Sequence, residues 1–521
     1  SCAEFDVSNA SRGVVEPRSG AMAMDESLMA GKTITHSAQH LVSHKDLRDL
    51  LRDFEAMREV KTVEGADPHL EISALAETLT MRYPGEEPAL LFDKIKGFKP
   101  GYRILSGASN SFRRLAHVYG LPTPEKKIDI VKSFKSLMGK GRELIPPKIV
   151  PSGPIFENVQ RDDEVDIFKF PIPFVHEHDG GRYIGTEDLV VMRDPDSDWI
   201  NVGTYRIVAH SKNEVGVWIS PGKHGRAIRE KYFAKGQPCP VLISCGQDPI
   251  LFLCSNAELP YGVSELDYAG GQRGSPVEVV LSELYKLPMP AGAEIVLEGE
   301  MYGDKPKLEG PFGEFMGYYA SEASEQPTIR IKRVYHRNDP IITLAIPSRP
   351  PSNFTVARAV VKAAMIWDEM EKAGVPGVHG VWNHEAGAGR LFNVVSIKQM
   401  YAGHAKQAGM LAANCRSGIY AGRWVVVVDE DIDPSNIHDV IWAMSTRCDP
   451  AEDLEIVHRL WSTPLDPILR GPPYQSNRAV IDACRPWGWK DEFPRVAEAS
   501  PELKEKVMAK WAHLFRTGSD T

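Results

Sequence analysis

Between residues 186 and 346 the chain is written in short runs of β-branched and aromatic residues, at 188–193, 199–209, 214–220, 241–255, 277–284, 293–302, 328–336 and 341–346, each bounded by turn-forming residues. This pattern restricts the fold more than any other feature. Side chains branched at Cβ suit a pleated surface, and Gly, Pro, Asn and Asp end each run. So many strands at such close spacing predict a β-barrel or sandwich.

The flanks follow a different rule. Ser43 opens the first clear helix, with Asp46 completing an acidic variant of the capping box and Leu47, Leu50, Leu51, Phe54 and Met57 recurring at helical spacing. Helices are also predicted over 71–83 and 126–138, with strand-like segments between them. In the last third, a helix over 356–373, a strand over 391–398 and a helix over 404–419 precede Val425-Val426-Val427-Val428 and a helix over Asn436–Arg447. Four successive valines suit a strand covered on both faces, and this βαβ alternation implies a parallel sheet with right-handed crossovers. Ser500-Pro501 opens a terminal helix with N-cap and N1 chemistry. The expected fold class is α/β (α+β), divided into an arm over 1–36, an α/β region over 37–150, a barrel over 151–346, an α/β domain over 347–490 and a helical tail over 491–521.

Composition removes several classes of function. A net charge of -9 argues against a nucleic-acid binder. The 7 cysteines include no CxxC pair, which suits a reducing compartment and gives no cysteine zinc site. No apolar run approaches the length of a membrane span, and Glu4 and Asp6 interrupt any leader-like core, so the expectation is a cytoplasmic enzyme without a membrane partner.

The chemistry gathers in a few places. Glu309-Gly-Pro-Phe-Gly-Glu314 holds two acids that a regular strand would send to opposite faces. Gly310, Pro311 and Gly313 permit a turn that lets both reach one site, where one acid stays ionised beside a cation and the other carries a proton. A solvated loop is the competing reading. Arg206, in Asn-Val-Gly-Thr-Tyr-Arg, is the candidate cation; it is either an edge residue or a group that faces a cavity and binds a carboxylate. Asn201, His224 and Glu265 offer an amide oxygen, an imidazole and a carboxylate, a mixed set that suits Mg²⁺ or Mn²⁺ beside a phosphate. Asp429-Glu430-Asp431 with Asp433 follows the valine strand and can hold Mg²⁺ for phosphoryl transfer, but no Walker A sequence accompanies it, and a solvated or interface loop is the preferred reading. Ala386-Gly-Ala-Gly389 precedes a strand and opens no helix, so it is not a dinucleotide fingerprint, and Gly-Xaa-Ser-Xaa-Gly is absent.

Taken in order, these residues resemble the UbiD family of decarboxylases, which use prenylated FMN. The likeness rests on Asn-Val-Gly-Thr-Tyr-Arg at 201–206, Pro-Gly-Lys-His at 221–224, Leu-Pro-Tyr-Gly-Val-Ser-Glu ending at Glu265, Glu-Gly-Pro-Phe-Gly-Glu-Phe at 309–315, the run from Val394 to Lys406 and the run from Asp439 to Pro450. It spans about 45–490. The resemblance implies a flavin-binding split β-barrel at the centre and a C-terminal domain used for oligomerisation, as a homodimer or homohexamer. It implies that Asn201, His224 and Glu265 hold Mn²⁺ (or Mg²⁺) against the cofactor phosphate, with K⁺ near Ser255 and Glu265. Thr204, Tyr205, Arg206, Trp218, Ile219, Ser220, Lys223 and Lys398 take cofactor-contacting positions, and Glu309, Arg206 and Glu314 form the catalytic network, with Glu314 as proton shuttle.

The implied reaction is the non-oxidative, reversible decarboxylation of an aromatic or heteroaromatic acid, releasing CO₂, with the cofactor supplied by a flavin prenyltransferase. Phe315, Met316, the loop 348–355 and Phe392-Asn393 are expected to line the substrate pocket, with Asn393 or His384 available to a ring heteroatom. The other readings are a flavin-binding protein without activity and a Mg²⁺-dependent phosphotransferase using Asp429–Asp433.

Overall fold

In a computed structural model, which describes residues 42–514 apart from 141, 142 and 258, the chain forms four sheets. The expected arm 1–36 lies outside the described residues. The largest sheet has nine strands in the order Tyr183–Gly185, Ile207–Ser211, Glu214–Val217, Ser324–His336, Ile295–Glu309, Cys239–Cys245, Asp188–Arg193 and Ile200–Gly203, with Asn158–Arg161 also paired to Ser324–His336. Its described pairings are antiparallel throughout.

One connection sets the shape of this sheet. Ile200–Gly203 ends the strand order on one side, while Ile207–Ser211 is next to the other end, yet only residues 204–206 join them. A link that short reaches at most about 14 Å. The sheet therefore curls until its ends nearly meet, and residues 204–206 cross the remaining gap. The result is a curled half-barrel, where the strand pattern predicts a barrel or sandwich.

Four runs differ from the sequence reading, one of them 277–284, whose strand Glu278–Leu281 belongs to a separate three-stranded sheet with Pro288–Pro290 and Lys148–Ile149. The 199–209 run breaks at Thr204–Arg206 into two strands. The 241–255 run is the strand Cys239–Cys245 followed by the helix Pro249–Ser255, whose Asp248 N-cap accepts a hydrogen bond from Ile250 N–H. Asp-Pro ahead of an apolar stretch carries helix-start chemistry, which overrides the apolar strand reading. The run at 341–346 supplies the strand Ile341–Leu344, but it pairs in parallel with Arg103–Ser106 and so belongs to the N-terminal sheet, in the order Val60–Glu64, Ala89–Asp93, Arg103–Ser106, Ile341–Leu344.

The first helix runs over Leu47–Ala56, and Asp46 is its N-cap, accepting from Arg48 and Asp49 N–H at 3.0 Å each. Ser43 lies outside it. The apolar spacing holds nonetheless: Leu47, Leu50, Leu51 and Phe54 are buried. In the C-terminal sheet, Phe392–Ile397, Trp424–Asp429 and Gln475–Asp482 are parallel neighbours, flanked by the antiparallel strands Val378–Asn383 and Leu454–Trp461. Val425 to Val428 are all 0% exposed, as a strand covered on both faces requires. Ser500 caps the helix Pro501–Lys510 through Leu503 N–H. Because Phe54 is fully enclosed, Phe54→Ala should remove about 3–5 kcal/mol of stability, seen as a lower thermal unfolding midpoint; an unchanged midpoint would contradict the packing described.

Candidate active site

Arg206 sits at the end of the link that closes the curled sheet, where its guanidinium is enclosed rather than solvated. It donates from Nε and Nη2 to the two carboxylate oxygens of Glu309, each at 2.8 Å, and from Nη1 to Glu314 Oε1. The Tyr183 hydroxyl donates to Glu309 Oε1 at 2.9 Å. The cation also lies over the Trp218 ring, with Cζ 4.6 Å from the centroid.

The two acids converge because the backbone turns between them. Glu309 is the last residue of the strand Ile295–Glu309, and Gly310 follows at φ +86°, a conformation that a side chain would strain. The loop then folds on itself: Glu314 N–H bonds Tyr318 O at 3.1 Å and Gly317 N–H bonds Glu314 O at 2.8 Å. Both carboxylates are buried, which rules out the solvated-loop reading. Burial pushes the Glu314 carboxyl up, and Arg206 pulls it only part of the way back. One guanidinium thus serves two acids. Glu309 is held on both oxygens by the fork, while Glu314 shares a single contact and can take a proton.

These groups face a cavity of about 170 Å³, lined by Thr204, Tyr205, Arg206, Trp218, Ser220, Lys223 and Glu314 among others. Thr204, Tyr205 and Lys223 also line an adjoining cavity of about 70 Å³ with Asn201, His224, Ser255 and Glu265. Glu265 accepts hydrogen bonds from Val202 N–H at 2.7 Å and Asn201 Nδ2 at 3.1 Å, and burial raises its pKa to about 7. Asn201 Oδ1 is buried with no hydrogen-bond partner. His224 opens the helix His224–Ala234; burial and the charges of Lys223 and Arg416 keep its imidazole neutral. Among the described residues no three His, Cys, Asp or Glu side chains gather into a metal cluster; this set draws its third ligand from an amide. An orphaned amide oxygen, a neutral imidazole and a carboxylate buried among amide donors nevertheless fit a divalent cation. Ser255 Oγ lies beside Thr204 Oγ1 and donates to Phe252 O at 2.7 Å.

Several expected positions lie elsewhere. The Ile219 side chain packs into the core of the curled sheet, leaving only its main chain to meet a ligand. Lys398 is exposed at the end of the strand Phe392–Ile397 and does not line either cavity. His384 bonds Pro434 O at 3.1 Å, and neither it nor Phe392-Asn393 reaches the cavity. Phe315 and Phe354 do line it. Two of the acids after the valine strand, Asp429 and Asp431, are committed to arginines: Arg447 bonds Asp429 at 3.1 Å and forks onto Asp431 at 2.9 and 2.8 Å, and Arg485 bonds Asp431 at 2.9 Å. That pairing is structural and leaves the phosphotransferase reading without its metal site. Sequence reasoning missed Tyr183, Tyr420 and Leu465, whose place in the site depends on contacts across more than 100 residues and leaves no local signal, and it passed over Phe312, which stands between the two acids of the 309–314 motif.

Fold and site together define a cavity walled by an enclosed guanidinium and two acids, next to a smaller cavity lined by Asn201, His224 and Glu265. The comparisons with known proteins place it more closely: the chain matches the N-terminal, Rift-related and C-terminal domains of 3-octaprenyl-4-hydroxybenzoate carboxy-lyase over 51–134, 148–350 and 355–483, and it belongs to the UbiD family. It is 32% identical over 506 residues to pyrrole-2-carboxylic acid decarboxylase of Pseudomonas aeruginosa, covering 92% of this chain and 97% of that one. The UbiD-class enzyme HmfF of Pelotomaculum thermopropionicum, solved with FMN, has a TM-score of 0.79 and 29% identity, covering 89% of this chain and 100% of its own. An evolved dimeric form of HmfF, solved with prFMN, has a TM-score of 0.76 and 28% identity, covering 90% of this chain and 100% of its own.

Removing the guanidinium would strand two enclosed carboxylates. Arg206→Ala should therefore destabilise the protein by about 3–5 kcal/mol, measured as a lowered unfolding midpoint; wild-type stability would contradict the burial of this network.

Proposed function

We propose that the protein is a non-oxidative, reversible decarboxylase of an aromatic or heteroaromatic carboxylic acid that works with prenylated FMN, a Mn²⁺ (or Mg²⁺) ion and K⁺. The observation that carries this reading is the enclosed Arg206–Glu309–Glu314 network facing the cavity. Membership of a carboxy-lyase family supports the reaction type, and a relative solved with prFMN supports the cofactor.

Asn201, His224 and Glu265 would hold the divalent ion, with Ser255 beside the K⁺ position. Thr204, Tyr205, Trp218, Ser220 and Lys223 would contact the cofactor along the joined cavities. When bound, prenylated FMN supplies a covalent electron sink for the charge left on a ring carbon as CO₂ departs. This chain's own groups do the rest. Arg206 orients the substrate carboxylate while its fork holds both oxygens of Glu309. Trp218, Phe312 and Phe315 offer flat apolar surface to a planar acid and exclude water. Glu314, raised by burial, delivers its proton to the carbon that has lost CO₂. A flavin prenyltransferase would supply the cofactor. We also propose self-association as a homodimer or homohexamer through the C-terminal domain, a reading supported by the exposed Ile441 and Trp442 on the helix Ile437–Arg447.

Protein made alongside a flavin prenyltransferase should release CO₂ from a member of a panel of aromatic and heteroaromatic acids, and Glu314→Gln should abolish that release while keeping a flavin absorbance spectrum; full turnover by the variant would refute the role given to Glu314. Glu265→Gln should weaken Mn²⁺ binding roughly tenfold or more, read from the electron paramagnetic resonance signal of free ion; undiminished binding would remove Glu265 from the cation site.

A further inference from the structure

The loop that presents Glu314 is gripped by a second segment far away in the sequence. His176 to Tyr183 meets it at four points. Asp179 Oδ1 accepts from Gly313 N–H at 2.9 Å, one residue before the acid. Gly180 N–H donates to Pro311 O at 2.7 Å. Tyr183 OH reaches Glu309 at 2.9 Å, and His178 N–H donates to Tyr319 OH at 3.3 Å. The fit leaves no slack: a Cβ at Gly180 would lie 2.0 Å from Gly310 O, and one at Gly313 would lie 2.7 Å from the His176 ring. The contact therefore specifies glycine on both sides.

Asp179 is the anchor of this grip. Its side chain is 0% exposed. It accepts from Gly313 N–H on one oxygen, and from His176 N–H at 2.9 Å and the His176 ring Nδ1 at 3.1 Å on the other. A carboxylate enclosed this way is costly unless every lone pair is used. Here it joins two stretches of backbone, and the one it holds ends in Glu314. It makes no hydrogen bond to Arg206 or Glu309, and its direct hold on the loop is through Gly313 N–H.

We propose that Asp179 is a positioning residue for Glu314: through the Gly313 amide, and braced by His176, it fixes the loop so that the Glu314 carboxyl points into the cavity. This rests on the reading of Glu314 as the proton donor. A proton must be delivered over a short, aligned distance, and a displacement of about 1 Å can lower a rate some 100-fold.

The test pairs kinetics with hydrogen exchange on the flavin-loaded enzyme, using the acid found in the CO₂-release screen. In Asp179→Ala, exchange across 310–318 should quicken and kcat should fall about 10- to 100-fold, with KM and flavin content close to wild type. Asp179→Asn keeps an oxygen for Gly313 N–H, so its kcat should lie between the two. Unchanged kcat in Asp179→Ala, a loss that only tracks lost flavin, or a loss without faster exchange in 310–318 would overturn the proposal. Should Asp179→Ala not fold, the wild-type enzyme still decides it: a Gly313 amide that exchanges as fast as an open loop rules the grip out. Faster exchange with unchanged kcat overturns the positioning role alone, because Glu314→Gln reads the donor role separately.

Discussion

The buried contact of Arg206 with Glu309 and Glu314 is the interaction on which the rest of this structure depends. Three ionisable groups leave water together, and their mutual charge and hydrogen bonds, with the Tyr183 hydroxyl and the Trp218 ring, offset the loss of hydration. Such an arrangement is sensitive to geometry. It needs a guanidinium delivered from one edge of the sheet, a strand that ends at Glu309, and a loop that turns back to bring in Glu314. The curl of the sheet provides the first, and the left-handed conformation at Gly310 begins the last.

The same short link joins two chemistries. Asn201 lies on the strand Ile200–Gly203, and Arg206 ends the turn that follows it. The Asn201–His224–Glu265 set and the Arg206 network are therefore held at a fixed separation by a few residues of backbone, with Thr204 and Tyr205 lining both cavities. A ligand with a phosphate at one end and a reactive ring at the other suits two joined cavities of this kind. The groups are arranged accordingly: imidazole, amide and carboxylate on one side, and a guanidinium paired with two acids on the other.

Much of this was legible in the residues themselves. Local patterns carried well: the valine run is a strand covered on both faces, Asp188–Arg193 matches its run, and the leucines after Asp46 face a core. The spacing of Glu309 and Glu314 around glycines announced a turn with two acids, and Arg206 inside an apolar strand announced a cation needing a partner. Failures came where local and long-range signals compete. The run at 341–346 looks like one more barrel strand because nothing in its own residues reveals that its partner is Arg103–Ser106. The Asp429–Asp433 acids resemble a metal site until Arg447 and Arg485 fold against them. Lys398 came from family likeness alone, and its exposed position separates it from the cavity. Tyr183 and Asp179 were invisible because their function is to touch a loop more than 100 residues away.

The role proposed for Glu314 is to move a proton to and from a ring carbon. Isotope exchange in D₂O, with the flavin-loaded enzyme and the decarboxylated product alone, tests it without any net turnover. The account predicts that wild-type protein incorporates deuterium at the carbon that carried the carboxyl group and that protein bearing glutamine at this position, still holding flavin, does not. Equal incorporation by both would contradict it.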